Sequence, residues 1–142
     1  MSYKGIYRPT NPSKYAGDPK KIVYRSNWER RFMVYCDKND DIIAWASEEL
    51  YVPYKNPIDR KVHRYFPDFI IKLKNGKRFM IEIKPRKQTM APKPPKRKTK
   101  RYLGEQLEYI KNRAKWQAAK AYCDDQGLEF KIFTEKELGI YS

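Results

Sequence analysis

The hydrophobic and polar positions of this chain predict a helix near its start, several strands in its middle and a long helix near its end. Within Tyr24–Asp40, apolar residues recur every three or four positions, as on one face of a helix. Ser26 is a good N-cap, and Glu29 follows three residues later as in a capping box. We therefore expect a helix that starts after Ser26 and ends near Asn39.

Four short β-prone runs follow this helix. The first two are Ile42–Trp45 and Leu50–Tyr54. The next two, Tyr65–Leu73 and Lys77–Lys84, are joined by Asn75-Gly76. Asn-Gly between two β-prone runs is the strongest short-range signal for a hairpin. The middle of the chain therefore predicts three or four strands, two of them in an antiparallel hairpin.

A long helix is predicted over Leu103–Asp125, and Gly127 ends it. A strand over Leu128–Phe133 and a short helix capped by Thr134 complete the chain. This order predicts a sheet with helices on its faces. The apolar side of the long helix is expected to comprise Leu107, Ile110, Ala114, Ala118, Ala121 and Tyr122.

The domain organisation follows from length and from the distribution of proline and glycine. The 142 residues suit one domain. Residues 1–20 are rich in proline and glycine and predict an irregular arm, which leaves 21–142 as a single domain. Inside it, the proline-rich basic segment 87–101 predicts a mobile loop.

Composition narrows the class of protein. A hydrophobic fraction of 40% supports a core. The sequence has no apolar run long enough for a membrane span and no signal-like start, so we expect a soluble intracellular protein. Cys36 and Cys123 are expected to be buried, reduced thiols.

The net charge of +15 is concentrated in one part of the chain. Residues 72–101 contain thirteen Lys and Arg and a single acid, Glu82, and so contribute +12. Such an excess favours a polyanionic partner, usually a nucleic acid. A solvated linker explains the basic loop equally well, and charge alone does not separate a binder from an enzyme.

Several familiar chemistries are absent. The single histidine, His63, excludes a histidine-based metal cage, and no glycine-rich loop for a nucleotide is present. The serine-hydrolase motif G-x-S-x-G is missing as well.

The remaining candidates for chemistry are acidic residues on the predicted hairpin. Because strand side chains alternate, Glu82 and Lys84 project on one face and Ile83 on the other, and the hairpin returns Asp68 alongside them. Two carboxylates suit Mg²⁺, and a nearby lysine suits hydrolysis of a phosphodiester. A turn cap at Asp68 and a solvated Glu82–Lys84 ion pair are the structural alternative. The apolar runs around both acids favour a functional role.

These residues resemble the signature of the PD-(D/E)XK, restriction-endonuclease-like nucleases: Pro67-Asp68, then Glu82-Ile83-Lys84. Glu29 matches the acid on the first helix of that superfamily, and the predicted order matches its αβββαβ core, an α/β (α+β) fold with a central mixed sheet flanked by helices. The runs GDPKKIVYRSNWERRF, IIAWASE, HRYFPDF, IEIKP and KWQAAK are similar to the head completion nucleases of large tailed phages over nearly the whole chain.

The resemblance implies a Mg²⁺-dependent DNA endonuclease, with Mn²⁺ as a substitute, that processes double-stranded DNA ends during phage head completion in the cytoplasm of the infected host. Head, portal or terminase proteins would be its partners. Asp68 and Glu82 would be metal ligands with the Ile83 carbonyl, Lys84 the catalytic lysine, and Glu29 an acid that completes the metal shell or aligns the others. A capping role competes for Glu29, and we favour the metal.

Further residues are expected to contact DNA, and Gln106 to lie near the active site. Trp116 and Tyr109 are expected in the core. The expected DNA contacts are Arg25, Arg86, Lys87, Lys96, Arg97, Lys98, Lys100, Arg101, Asn112 and Lys115.

Two other functions stay open at this point. One is a non-catalytic DNA-binding or head-assembly protein, and the other is a junction-resolving or repair nuclease on the same fold. The sequence also leaves open the DNA structure that is cut and whether the protein is a monomer or a homodimer.

Overall fold

A computed structural model describes residues 4–139 of the chain. Its helices and strands, in chain order, are β1 (Gly5–Tyr7), β2 (Ile22–Tyr24), α1 (Asn27–Lys38), β3 (Ile42–Ser47), β4 (Val52–Lys55), β5 (Val62–Tyr65), β6 (Phe69–Leu73), β7 (Arg78–Ile83), α2 (Lys100–Gln126), β8 (Glu129–Phe133) and α3 (Glu135–Leu138). None of the helices in this range is long and apolar enough to cross a membrane.

The central sheet has four strands in the order β3, β6, β7, β8. β6 pairs antiparallel with both β3 and β7, and β8 runs parallel to β7. A parallel pair needs a crossover connection, and α2 supplies it. The core order α1, β3, β6, β7, α2, β8 therefore agrees with the predicted αβββαβ arrangement and mixed sheet.

The predicted Asn-Gly hairpin is confirmed. Gly76 has a φ of 88°, in the left-handed region that glycine enters without steric cost. β6 and β7 pair with Phe69 opposite Ile81 and Ile71 opposite Phe79. This register decides which side chains of the two strands are neighbours.

The run Tyr65–Leu73 is not one strand as predicted. Tyr65 ends β5, which pairs with β4 in a separate two-stranded sheet, and β6 begins only at Phe69. Pro67 explains the break, because proline has no N–H for a strand ladder and restricts the residue before it. Asp68 therefore lies at the first bend before β6.

The two faces of the sheet carry two separate cores. On one face, Phe69, Ile81 and Ile83 pack with α1, which contributes the buried Cys36. The other face packs against α2. This second core contains Met80, Trp116, Ala119 and Cys123. The predicted burial of Trp116 and of both thiols is confirmed, and both cysteines are free.

The first twenty residues are more regular than predicted. β1 pairs antiparallel with β2, and Pro12–Lys14 form a 3-10 turn. Asp37 on α1, 0% exposed, accepts hydrogen bonds from the Tyr7 hydroxyl at 2.7 Å and from the backbone N–H of Thr10 at 2.6 Å. The arm is thus fastened to α1 by an acid some thirty positions later in the chain.

The basic segment also differs from the predicted loop at both ends. Residues Arg86–Thr89 form a 3-10 turn. α2 begins at Lys100, three positions before the predicted Leu103, because the Thr99 hydroxyl caps it by accepting from Tyr102 N–H at 3.1 Å. Lys100 and Arg101 therefore belong to the helix.

The buried side of α2 is not the predicted one along its whole length. Ala114, Ala118 and Tyr122 pack against the second core, but Leu107 and Ile110 are 48% and 44% exposed. The side chains that α2 buries are Asn112, Trp116, Ala119 and Cys123. In the first half of α2, the apolar residues therefore do not mark the side of the helix that contacts the sheet.

Candidate active site

Asp68 and Glu82 come together at the end of the β6–β7 ladder. Phe69 and Ile81 are the last pair of the β6–β7 ladder, and Asp68 precedes the first of them while Glu82 follows the second. Both side chains belong to the face that packs against α2, because Met80 and Ile70, two positions away, are part of the second core. Glu82 is only 6% exposed. The hairpin thus brings two acids into a buried corner of the sheet.

The hydrogen bonds of these two acids are incomplete. Asp68 Oδ2 accepts from the Ile83 backbone N–H at 2.8 Å. Glu82 Oε1 is buried and has no hydrogen-bond partner among residues 4–139. Burial first, and then the charge of neighbouring Glu82, hold the pKa of Asp68 well above its usual range. A positive charge beside these two buried carboxylates would offset the repulsion between them.

Tyr65, at the end of β5, lies beside the same pair. Its hydroxyl is buried and has no hydrogen-bond partner within the described part of the chain. Burial raises the pKa of Tyr65, and the nearby charges of Glu82 and Asp68 raise it further. Sequence reasoning missed this residue, because a tyrosine in a β-prone run is most simply a packing residue.

The residues at this corner fit a divalent cation. A buried carboxylate oxygen without a partner and a second acid beside it provide the oxygen donors that Mg²⁺ prefers. Ile83 donates its N–H toward Asp68, and the carbonyl of a strand residue points to the same side as its N–H. No group of three or more His, Cys, Asp or Glu side chains within residues 4–139 could hold a metal. Mg²⁺ commonly needs only one or two carboxylates.

Comparison with known proteins identifies the family of the chain. Residues 39–135 match the family model of the N-terminal part of TnsA-like endonucleases. The chain belongs to the TnsA-like endonuclease family. It is a nuclease, and the restriction-endonuclease-like fold class predicted from the sequence is confirmed.

A curated relative supports the more specific resemblance. The head completion nuclease of Enterobacteria phage T4 is 45% identical over 142 residues, an alignment that covers 97% of this chain and 95% of the relative. The family match includes Asp68, Glu82 and Lys84 but begins after Glu29.

Lys84 of this TnsA-like endonuclease lies at the end of β7. Its backbone N–H donates to the carbonyl of Phe133 on β8 at 3.0 Å, which fixes the main chain just past the strand. By strand alternation its side chain shares the face of Glu82. The side chain is half-buried and forms no ion pair with any residue in 4–139. Strand alternation thus places Lys84 on the side of Glu82, and its catalytic role stays a prediction.

Glu29 makes the contacts of a helix cap. Its carboxylate accepts from Arg25 N–H at 3.3 Å and from the Ser26 hydroxyl at 3.5 Å, and the Ser26 oxygen accepts from Glu29 N–H at 3.1 Å. We predicted that Glu29 binds the metal directly, whereas these contacts are those of the capping alternative. Burial raises the pKa of Glu29, and Glu29 in turn adds to the raised pKa of Asp68, so the two acids are close enough to interact.

Glu48, which the sequence did not reveal, joins Glu29 and Arg25 at the rim of the site. It follows β3 with a φ of 53° and forms an ion pair with Arg25. The hydrogen bond with Glu48, followed by its charge, raises the pKa of Arg25. Arg25, which we expected to bind DNA, is thus paired with Glu48. Its side chain is nevertheless 54% exposed.

The predicted DNA contacts fall into two groups. Most are exposed, on the segment after β7 and on the first turn of α2: Arg86, Lys87, Lys96, Arg97, Lys98, Lys100 and Arg101. Lys115 is instead half-buried, with its Nζ 5.8 Å from the centre of the Tyr65 ring. Burial lowers the pKa of Lys115, whereas the charge of Glu82 raises it. Lys115 therefore borders the acids.

Asn112 and Gln106, two further predicted residues of α2, are less exposed than the first group of cations. Asn112 is only 3% exposed and lines a cavity between the segment after β7 and α2, rather than the outer surface. The Gln106 amide donates to the Tyr102 hydroxyl at 2.9 Å, one turn earlier on α2. Gln106 is nine residues before Lys115, or about 13 Å along the helix, and this contact does not bring it to the acids. Tyr109, expected in the core, is only half-buried and belongs to neither core.

Proposed function

We propose that this nuclease is a divalent-metal-dependent DNA endonuclease of the PD-(D/E)XK type. The observation that carries the proposal is the buried pair Asp68 and Glu82, with one carboxylate oxygen lacking any partner among residues 4–139. Lys84 on the same strand face supports it. This constellation suits metal-assisted hydrolysis of a phosphodiester.

Each of these residues has a distinct part in the proposed reaction. Asp68, Glu82 and the Ile83 carbonyl would hold Mg²⁺, with Mn²⁺ as a substitute. The bound cation supplies charge stabilisation at the phosphate and lowers the pKa of water. Lys84 would orient the attacking water and offset the negative charge that develops on the phosphate. Glu29 would remain at the helix start and reach the cation through water, because Mg²⁺ usually keeps several of its waters.

The charge distribution supports DNA as the substrate. Of the net charge of +15, residues 72–101 contribute +12, and they run from β6 through the proposed catalytic strand into α2. Exposed lysines and arginines neutralise phosphates and release counterions. The exposed cations after β7 would therefore guide double-stranded DNA toward Lys84.

The role of this activity is proposed from the relative. The T4 protein is named a head completion nuclease. We infer that this chain likewise processes DNA ends during head completion, in the cytoplasm of the infected host. Head, portal or terminase components would be its protein partners.

Cleavage of linear, circular and branched DNA in Mg²⁺ tests this function. We compare the wild type with Glu82→Gln and Lys84→Ala, and expect each variant to lose at least about 100-fold in rate, since each removes a group that acts on the transition state. Lys38→Ala, which removes one exposed charge at the far end of α1, is the control and should cleave at the wild-type rate.

The results also separate the alternatives. Undiminished cleavage by both variants would exclude the proposed site. DNA binding without cleavage in Mg²⁺ or Mn²⁺ would indicate a non-catalytic binding protein. Strong preference for branched DNA would indicate a junction-resolving nuclease.

A further inference from the structure

A cavity of about 870 Å³ lies between the segment that follows β7 and the first half of α2. Residues of the segment 86–93 form one wall, and α2 residues up to Asn112 form the other. Pockets for ligands typically measure ~300–1,000 Å³. The cavity adjoins the candidate active site, because Arg86 follows Lys84 by two positions and Asn112 precedes Lys115 by about one helical turn.

Asn112 is a nearly buried polar residue in the wall of this cavity. The residue is 3% exposed. Its amide forms no hydrogen bond with any residue in 4–139, yet its polar atoms are not closed off from the cavity. Buried amides are normally hydrogen-bonded. The amide of Asn112 is therefore available to a group that enters the cavity.

The shape and polarity of the other walls suit a flat, partly apolar group. Met90, Ala91 and Pro92 contribute apolar surface on the loop side. Tyr109 contributes an aromatic ring on the helix side. Nucleobases stack on such aromatic side chains in single-stranded nucleic acid binding. An amide such as that of Asn112 can both donate to and accept from the edge of a base.

The lining of the cavity carries charges of both signs, with its acids on the helix wall. Glu105 and Glu108 belong to the helix wall, where they pair with Arg101 at 3.4 Å and with Lys111 at 3.0 Å. Carboxylates repel a phosphate but accept hydrogen bonds from base amino groups. The loop wall instead begins with two exposed cations next to Lys84, Arg86 and Lys87.

We propose that this cavity binds one unstacked nucleobase of the DNA strand that is cut. Asn112 would hydrogen-bond to the base edge, Tyr109 would stack on its face, and Arg86 and Lys87 would contact the adjoining phosphate. The inference rests on the proposed function and specifies the form of the substrate at that site. A base reaches such a pocket by leaving the duplex or by being unpaired already, and the cost is least for the second.

Three short duplexes test the proposal: one fully paired, one with a single bulged nucleotide, and one with an abasic residue at the bulged position. Affinity is measured by fluorescence anisotropy in EDTA, so that no strand is cut. We expect the wild type to bind the bulged duplex about 10-fold more tightly than the abasic one, since stacking on an aromatic side chain contributes on this order per base. The fully paired duplex should bind more weakly than the bulged one.

The variants tie this preference to the cavity. Asn112→Ala and Tyr109→Ala should bind the bulged and abasic duplexes equally, whereas Gln117→Ala, an exposed position on the same helix, should keep the wild-type ratio. Thermal unfolding checks each variant, and the half-buried Tyr109 preserves the test if loss of Asn112 disturbs the fold.

The outcomes distinguish the cavity from the proposed function. Equal affinity of the wild type for bulged and abasic DNA, or a preference that both variants retain, overturns the nucleobase site. If the protein cleaves DNA in Mg²⁺ but does not prefer bulged over abasic DNA, the nuclease proposal stands and the nucleobase site is overturned. The preference without cleavage supports the cavity and overturns the catalytic proposal.

Discussion

Asp68 and Glu82 bring two carboxylates into one buried corner of the sheet, and no Lys, Arg or His within residues 4–139 forms an ion pair with either. Like charges that share a low-dielectric site repel, and burial adds the cost of lost hydration. At the scale of single residues, the acids proposed as metal ligands therefore destabilise the metal-free protein.

Replacing Asp68 by Asn should stabilise the metal-free protein at neutral pH and abolish cleavage. The amide can still accept from Ile83 N–H and can donate to the unpartnered oxygen of Glu82. We expect a gain of about 1 kcal/mol in unfolding free energy, or about 2–4 °C in Tm. Thermal unfolding in EDTA measures it.

A control variant and a measurement with Mg²⁺ test the interpretation of this change in Tm. Asp40→Asn, an exposed acid after α1, should leave the Tm unchanged. Mg²⁺ should stabilise the wild type but not Asp68→Asn. A lower Tm for Asp68→Asn in EDTA would contradict the repulsion between the two acids.

At the scale of elements, the arm and α1 form a unit around Asp37. This acid accepts from Tyr7, Thr10 and Asn11, and Lys14 donates to its backbone carbonyl at 3.0 Å. Burial alone would raise the pKa of Asp37, but these hydrogen bonds together lower it. The ionised carboxylate therefore holds the arm against the helix.

Asp37→Ala should cost at least about 3 kcal/mol of unfolding free energy, because several hydrogen bonds to a charged group are lost and their donors stay without a partner. Chemical denaturation at neutral pH measures the loss. The neighbouring exposed Asp40→Ala is the matched control and should change stability by less than about 0.5 kcal/mol.

The sign of the pH dependence follows from the lowered pKa. A carboxyl whose pKa is depressed by folding stabilises the protein above its unfolded pKa of about 4 and loses that contribution as the pH falls through the folded pKa. The deficit of Asp37→Ala should therefore be full at neutral pH and shrink in acid. A deficit that is constant down to strongly acidic pH would show that the charge of Asp37 does not hold the arm.

The elements also show where local pattern is sufficient. Asn75-Gly76 predicted the hairpin and Ser26 predicted the start of α1, because turn and cap chemistry acts over a few residues. The interrupted run at Pro67 and the exposed Leu107 depend on which strand or helix lies nearby. The periodicity of a segment does not indicate which strand or helix will pack against it.

At the scale of the whole molecule, the positive charge forms the proposed path for DNA. Replacing four exposed cations by serine should weaken binding at low salt and reduce the slope of log K against log salt by up to about 3–4, since each phosphate contact contributes about 0.9. The replaced residues are Lys96, Arg97, Lys98 and Lys100.

Anisotropy titrations over a range of salt concentrations measure this slope. A control with the same change in net charge removes four exposed lysines outside the basic segment: Lys4, Lys20, Lys21 and Lys38. If both quadruple variants lose the same affinity, net charge alone governs binding. An unchanged slope in the first variant would mean that the segment is a spacer.

The sequence by itself determined the core order α1, β3, β6, β7, α2, β8, the hairpin and the approach of Asp68 to Glu82, because period, turn residues and strand alternation are local properties. Only the tertiary structure decided that Asp37 fastens the arm, that Glu48 joins Arg25 at the site, and that Asn112 lines a cavity. These partners are far apart along the chain. Their contacts follow from how the elements pack in three dimensions, which no local pattern records.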